Sequence, residues 1–293
     1  MSIVFSKVTG WNTSKGVVTQ VADSSGKVIW MLNTASPIIL EVEKKTSNTY
    51  AGETTYNNEE FILLDIYPKT NGTVNVTYGG LTKTIIDTSG VAEPNAQQVF
   101  FGTFNGVSDS VATPASGTLT IEGDCYAFAS GSYAQSNKSG NLGGCKVTEV
   151  KSFGNVTKIP DVAFQDGISC GLTMSSIEIP DTIKSIGKSA FYGSVLEEVT
   201  ISKNIAYIGY LAFGGVKRVL KTVKINAIVP PEIGTTTIDG VVHCRCFMPL
   251  DGVDSSGNPY FTVEKIIVPK GCGEAYKVAQ GFAEFADYIV EAS

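Results

Sequence analysis

The chain contains one histidine, His243, in 293 residues. That scarcity leaves little room for Ser-His-Asp or Cys-His catalysis, each of which needs an imidazole oriented by a further group. The only acidic residue near His243 is Asp239, four positions away in an expected turn. Positive charge is equally thin: 22 Lys and Arg stand against 28 Asp and Glu, and no basic run exceeds two residues. Nucleic-acid binding through phosphate neutralisation needs a basic stripe, and anionic membrane surfaces favour the same, so both are disfavoured. No stretch approaches the ~20 apolar residues of a membrane-spanning helix. The opening Met1-Ser2-Ile3-Val4-Phe5 is followed by Ser6, Lys7 and Thr9. These interrupt it before a signal-peptide core of about 7–15 apolar residues can form. A soluble product made in the cytoplasm is therefore expected.

The six cysteines, Cys125, Cys145, Cys170, Cys244, Cys246 and Cys272, match no disulfide framework and include no pair at zinc-knuckle spacing. His243-Cys244-Arg245-Cys246 is the one cluster that resembles a metal site, and no second cluster completes four ligands. Reduced, partly buried thiols are expected, with neither metal nor cofactor. The stretch from Asp251 to Asn258 gathers oxygen ligands in a turn, but lacks the spaced acids and closing Glu of a calcium loop. Of the possible carboxylate pairs, Asp251 and Asp254 share that turn. Glu197 and Glu198 are neighbours on an expected strand and should point to opposite sides. No Gly-rich loop joins a strand to a helix, as a nucleotide site would require. The residues assemble no catalytic set, and a non-enzymatic protein is expected.

What the chain does have is β-forming material: 43% apolar residues, 17% charged residues and 31 glycines. That is the composition of an ordered globular protein rich in strands and turns. Residues 1–36 read as an opening module in which Val17 to Val21 and Lys27 to Met31 flank a turn at Asp23-Ser24-Ser25-Gly26. Both tryptophans, Trp11 and Trp30, lie here. They would either pack on the next module or form a docking face for a larger assembly. Residues 37–124 read as seven short strands: Ile38 to Val42, around Thr49-Tyr50, Phe61 to Ile66, Thr73 to Tyr78, Thr82 to Ile86, Gln98 to Thr103, and Thr118 to Glu122. Turn residues separate them, and alternation is clear in Val74-Asn75-Val76-Thr77-Tyr78. The pattern fits an immunoglobulin-like β-sandwich without the Cys…Trp…Cys core of antibody domains. Residues 125–144 are loop chemistry interrupted by Tyr126, Phe128 and Tyr133, which would cover the first turn of whatever follows.

From residue 145 to 293 a short phrase recurs. Ala163-Phe164, Ala190-Phe191 and Ala212-Phe213 follow Ile159, Ile186-Gly187 and Ile208-Gly209. Between them stands a second apolar pattern: Met174-Ile177-Ile179, Leu196-Val199-Ile201, Leu220-Val223-Ile225 and Val263-Ile266-Val268. A period near 20–29 residues with this grammar predicts a leucine-rich-repeat solenoid, whose units bury their apolar faces only by stacking. The long last interval is assigned to an inserted loop, residues 230–261, carrying a hairpin around Asp239-Gly240. The C-terminus reads as a closing helix with Tyr276, Ala279, Phe282 and Ala283 on one face, then a strand over Tyr288 to Glu291. The fold class expected is mainly β: a sandwich followed by a solenoid.

Ile179 to Ser194 and Lys203 to Gly215 resemble the BspA-like leucine-rich repeat. So does the tail after Ile266-Ile267-Val268-Pro269, a Val-Pro followed by a Tyr-bearing helix. The family's usual Cys after Phe-x-Gly is Ser194 here. The resemblance implies a surface adhesin or protein-binding protein with no catalytic residues to transfer. The hairpin from Gly16 to Trp30 and the sandwich after it resemble the start of tail-associated proteins of gut bacteriophages and prophages. That likeness implies a virion protein, made in the host cytoplasm and attached to a phage tail through its front module. A bacterial cell-surface or secreted adhesin is the alternative. The partner implied is a protein or a cell-surface glycan, with homo-oligomers compatible with either setting.

The repeat register also predicts a surface. With Ile177 and Ile179 inward, Ser176 and Glu178 face out, as do Glu198 and Thr200, Thr222 and Lys224, and Lys265 and Ile267 in later copies. Glu178, Thr200, Lys224 and Ile267 should then stand in one row across the strands, on the face solenoids use for binding. The loop residues Tyr260, Phe261 and Phe247 form a second candidate site.

Overall fold

The computed structural model describes residues 16–22, 28–34, 36–46, 59–91, 95–104, 106–130, 145–165, 171–214, 220–238, 241–244, 246–247 and 263–293. Strands β1 (Gly16–Ala22) and β2 (Val28–Thr34) form an antiparallel hairpin with Val21 opposite Ile29. Trp11, Tyr133 and the strand expected at Thr49-Tyr50 lie outside the described residues.

The front half is an antiparallel two-sheet sandwich. Its strands are β3 (Ile38–Glu43), β4 (Lys45–Thr46), β5 (Glu60–Pro68), β6 (Thr73–Tyr78), β7 (Leu81–Ile86) and β8 (Gln97–Phe104). They continue with β9 (Val107–Ser108), β10 (Ser116–Gly123), β11 (Cys125–Ala129) and β12 (Lys146–Phe153). One sheet runs β12-β3-β10-β6-β7 and the other β11-β5-β8-β9, with β4 beside β5. The alternation read in β6 holds, since Val74, Val76 and Tyr78 are buried between more exposed neighbours. They face Ile62, Leu64 and Ile66 of β5 across one core, and the rings of Tyr78 and Phe101 lie 5.7 Å apart. Lys83 on β7 ties the sheets at their margin: its ammonium meets the Asp109 carboxylate at 2.6 Å and sits 4.1 Å above the Phe100 ring.

Four described strands fall beyond the seven expected: the two-residue β4 and β9, and the longer β11 and β12. β11 arises in the stretch read as loop, at Tyr126 and Phe128, and pairs with β5, while β12 arises in the segment assigned to the repeats. β12 pairs antiparallel with β3 and, along its other edge, parallel with β14 (Gly171–Leu172). One strand therefore belongs to the sandwich and to the repeats at once.

The repeats stack as a solenoid with two parallel sheets. One contains β13 (Lys158–Ile159), β16 (Ser185–Ile186), β18 (Tyr207–Ile208) and β20 (Glu232–Ile233). The other contains β15 (Ser176–Glu178), β17 (Glu198–Ile201), β19 (Thr222–Ile225), β23 (Ile266–Val268) and β24 (Ile289–Glu291). Coil is fastened to coil at the recurring phrase. The N–H groups of Gly187, Gly209 and Gly234 donate to the carbonyls of Ile159, Ile186 and Ile208, each at 2.8 Å. The N–H groups of Phe164 and Phe191 donate to the carbonyls of Ala190 and Ala212, at 2.7 and 2.8 Å. Just before each Ala-Phe pair, Val162, Ser189 and Leu211 adopt φ of 55, 54 and 55°. Left-handed backbone is costly for side chains of this kind, and it persists where surrounding bonds over-determine it. Here Val162 and Ser189 donate to the carbonyls of Lys188 and Tyr210 in the next coil.

Inside, the phenylalanines form a column. Phe164 and Phe191 lie 5.4 Å apart, Phe191 and Phe213 5.0 Å, and Phe213 and Phe247 5.8 Å, with planes within 17° of parallel. Phe247 was expected on the inserted loop as a binding residue; it is fully buried and continues this column instead. Cys246-Phe247 takes the place of an Ala-Phe pair, and the Phe213 N–H donates to the Cys246 carbonyl at 3.0 Å. The expected hairpin, β21 (Thr236–Ile238) with β22 (Val241–His243), is inserted between Gly234 and that pair. Val263 takes up the buried pattern again, bridged to Leu220. The long interval thus holds a hairpin and a core coil residue, Phe247, rather than one continuous loop.

Beyond β23 the helix α1 (Gly273–Val278) leads to a 3-10 turn over Ala283–Tyr288 and into β24. The single helical face expected from Tyr276 to Ala283 is divided, because Ala279 leaves the helix at ψ 141° and Gly281 takes φ +84°. Tyr276 and Phe282 still meet, edge to face at 5.0 Å, and the Tyr276 hydroxyl donates to the Ala227 carbonyl. The Glu291 carboxylate accepts the N–H groups of Gly271 and Gly273, which holds it below the usual carboxylate range and ties β24 to the helix entrance.

Ser194 is fully buried, and its hydroxyl has no hydrogen-bond partner among the described residues. A buried polar atom left unpaired costs about 1–3 kcal/mol. Ser194→Cys keeps the size close and replaces the hydroxyl by a group that behaves as a small hydrophobe. It is expected to raise stability by roughly 1 kcal/mol, read as a higher urea midpoint at unchanged slope.

Candidate binding surface

The outward positions of the strand sheet stand where the register places them. Glu178 is beside Thr200, Thr200 beside Lys224, Lys224 beside Ile267, and Ile267 beside Val290. A second row sets Ser176 beside Glu198 and Glu198 beside Thr222. The residues between them, Ile177, Val199, Val223 and Ile266, are buried, so alternation alone turns the rows outward. Glu178, Glu198, Lys224 and Lys265 are exposed, whereas Thr200, Thr222 and Ile267 are half-buried between neighbours.

Charge changes along the row. Glu178 and Glu198 lie at the sandwich end, Lys224 and Lys265 come later, and Ile267 and Val290 (41% exposed) close it. Among the described residues neither Glu178 nor Lys224 is ion-paired. Beside the rows, Lys221 and Glu197 meet at 2.7 Å, which raises the lysine's affinity for its proton. Glu197 precedes β17 rather than lying on it, so the expected opposition of Glu197 and Glu198 across a strand gives way to a bridge into the next coil.

The other chemical candidates fare differently. Cys244 and Cys246 are buried thiols, and burial pushes the Cys246 thiol far up, away from the thiolate that binds metal. Cys125 is likewise raised, to about 12, by burial. His243 stands on β22 opposite Thr236. Tyr260, Phe261 and the turn from Asp251 to Asn258 lie outside the described residues. Among the described residues no helix is long and apolar enough to cross a membrane.

Stacked coils of this length, with parallel strands on one side and tight turns carrying Ile-Gly and Ala-Phe on another, define a leucine-rich-repeat solenoid. Residues 135–236 match the BspA type leucine rich repeat region, in six copies. The match ends inside β21, so β23, α1 and β24 continue the stack past it. No curated protein matches the chain.

Proposed function

We propose that this is a non-catalytic binding protein of the adhesion type, in which the solenoid presents the row Glu178, Thr200, Lys224 and Ile267, flanked by Glu198 and Thr222, to a protein or surface glycan. The front hairpin and sandwich carry it on a larger assembly such as a phage tail. The observation behind this reading is the row itself: charges of both signs with no ion pair among the described residues, and an apolar end, held at the spacing of paired parallel strands. Exposed side chains on a rigid scaffold bind without loss of scaffold entropy, and opposite charges along one line select a partner of complementary pattern.

Exchanging the charges, with Glu178→Lys and Lys224→Glu together, is expected to lower adsorption of the labelled protein to intact bacterial cells roughly tenfold. Thermal stability should stay within about 0.5 kcal/mol, as usual for surface changes. Unaltered adsorption would move the site to the insertion that contains Tyr260. Gold-labelled antibody against the solenoid in lysates of producing cells tests the setting. Label on tails supports a virion protein, and label confined to envelopes would make it a cell-surface adhesin.

A further inference from the structure

We infer that the sandwich is the amino-terminal cap of the solenoid, so that the two halves unfold as one cooperative unit. Three connections cross the seam, and each repeats a device the coils use among themselves. First, β12 lies between β3 of the sandwich and β14 of the repeats, so one sheet passes from antiparallel into parallel pairing without an edge. Second, β11 of the other sandwich sheet runs beside β13, the first strand of the turn sheet. There the Ser130 N–H donates to the Ala163 carbonyl at 2.9 Å, the same bond that Phe164 makes to Ala190 and Phe191 to Ala212. Ala129-Ser130 therefore occupies the place of an Ala-Phe pair one coil before the first. Third, the phenylalanine column enters the sandwich: Phe128 on β11 lies edge-on to Phe164 at 5.7 Å, with Phe153 of β12 at 6.3 Å behind it.

A solenoid end exposes an apolar coil and two open sheet edges, and repeat arrays need a terminal unit that covers them. Here sandwich strands cover that end, β12 pairing with β14 and β11 lying beside β13, and a single buried apolar cluster extends from Ile38 to Ile289. Ordinary inter-domain contacts are side-chain surfaces that slide or part. The backbone pairing of β12 with β14, the Ser130–Ala163 bond and a shared core do not allow that. A ligand held on the row of the solenoid would, by mass action, stabilise the sandwich by the same free energy.

Native-state hydrogen exchange on the full chain tests this with Val76→Ala. Val76 is fully buried on β6, separated from β12 by β10 and β3. If unfolding is shared, the slowest amides of the sandwich and those of Gly187, Phe191 and Gly209 accelerate by one common factor, roughly tenfold or more. Acceleration in the sandwich with solenoid amides unchanged overturns the inference. Calorimetry of the unsubstituted chain is an independent check. One transition whose calorimetric and van't Hoff enthalpies agree is expected, and two resolved transitions would overturn it.

Discussion

Phe191→Ala is expected to destabilise the protein by about 3–5 kcal/mol, the range for removing a large aromatic from a well-packed core. Phe191 is fully buried and lies between Phe164 and Phe213, tilted from them by only 16° and 5°. Its loss opens a cavity and also removes two ring contacts, each worth about 0.5–1.5 kcal/mol beyond burial. The coils above and below cannot close the gap, because their backbones are fixed to one another at the flanking Ala-Phe and Ile-Gly positions. Domain stabilities are about 5–15 kcal/mol, so the variant should fold only marginally. Urea unfolding gives the measurement, and Phe191→Leu, which refills most of the space, should lose clearly less. Equal midpoints for Phe191→Ala and the unsubstituted chain would mean that the column is not what holds the coils.

Gly209→Ala should be nearly as damaging, for a different reason. Gly209 has no left-handed backbone to protect; it is buried and faces the previous coil. A Cβ there would lie 2.5 Å from the carbonyl carbon of Gly187 and 2.7 Å from its oxygen. Those atoms are backbone of a residue whose N–H is itself held by the Ile159 carbonyl, so the coils must separate. Overpacking costs about 1–3 kcal/mol where side chains can shift and more where they cannot; about 3 kcal/mol or more is expected. Gly80→Ala is the control. With φ +81° and no heavy atom within 4 Å, it carries backbone strain alone, about 1–2 kcal/mol. Thermal midpoints that fall in the reverse order would show that the close approach at Gly209 is dispensable.

The solenoid was legible because its residues answer to one rule at every coil. Ile177, Val199, Val223 and Ile266 repeat the same inward position, and alternation then fixes Glu178, Thr200, Lys224 and Ile267 without further information. Phe247 was not legible as core. Cys246 stands where alanine stands elsewhere, and twelve positions rather than three separate it from the preceding Gly234. The signal it does carry is the likeness of Cys246-Phe247 to the Ala-Phe phrase, displaced from Gly234 by the hairpin. β12 was hidden for another reason: a strand that alternates in burial looks the same whether its partner is a sandwich edge or a repeat. The end helix was misjudged in length because periodicity through Phe282 carries no sign of the left-handed break that Gly281 introduces.

The β21–β22 hairpin leaves the stack after Gly234 and returns at Cys246 with both the glycine ladder and the phenylalanine column in register. The interior is thus indifferent to how far the chain wanders between those anchor points, provided it comes back. Length and composition at this corner are free to drift from one generation to the next while the rest of the molecule is held constant. Novelty in what the protein touches can accumulate there at a loop-closure cost that grows only slowly with length.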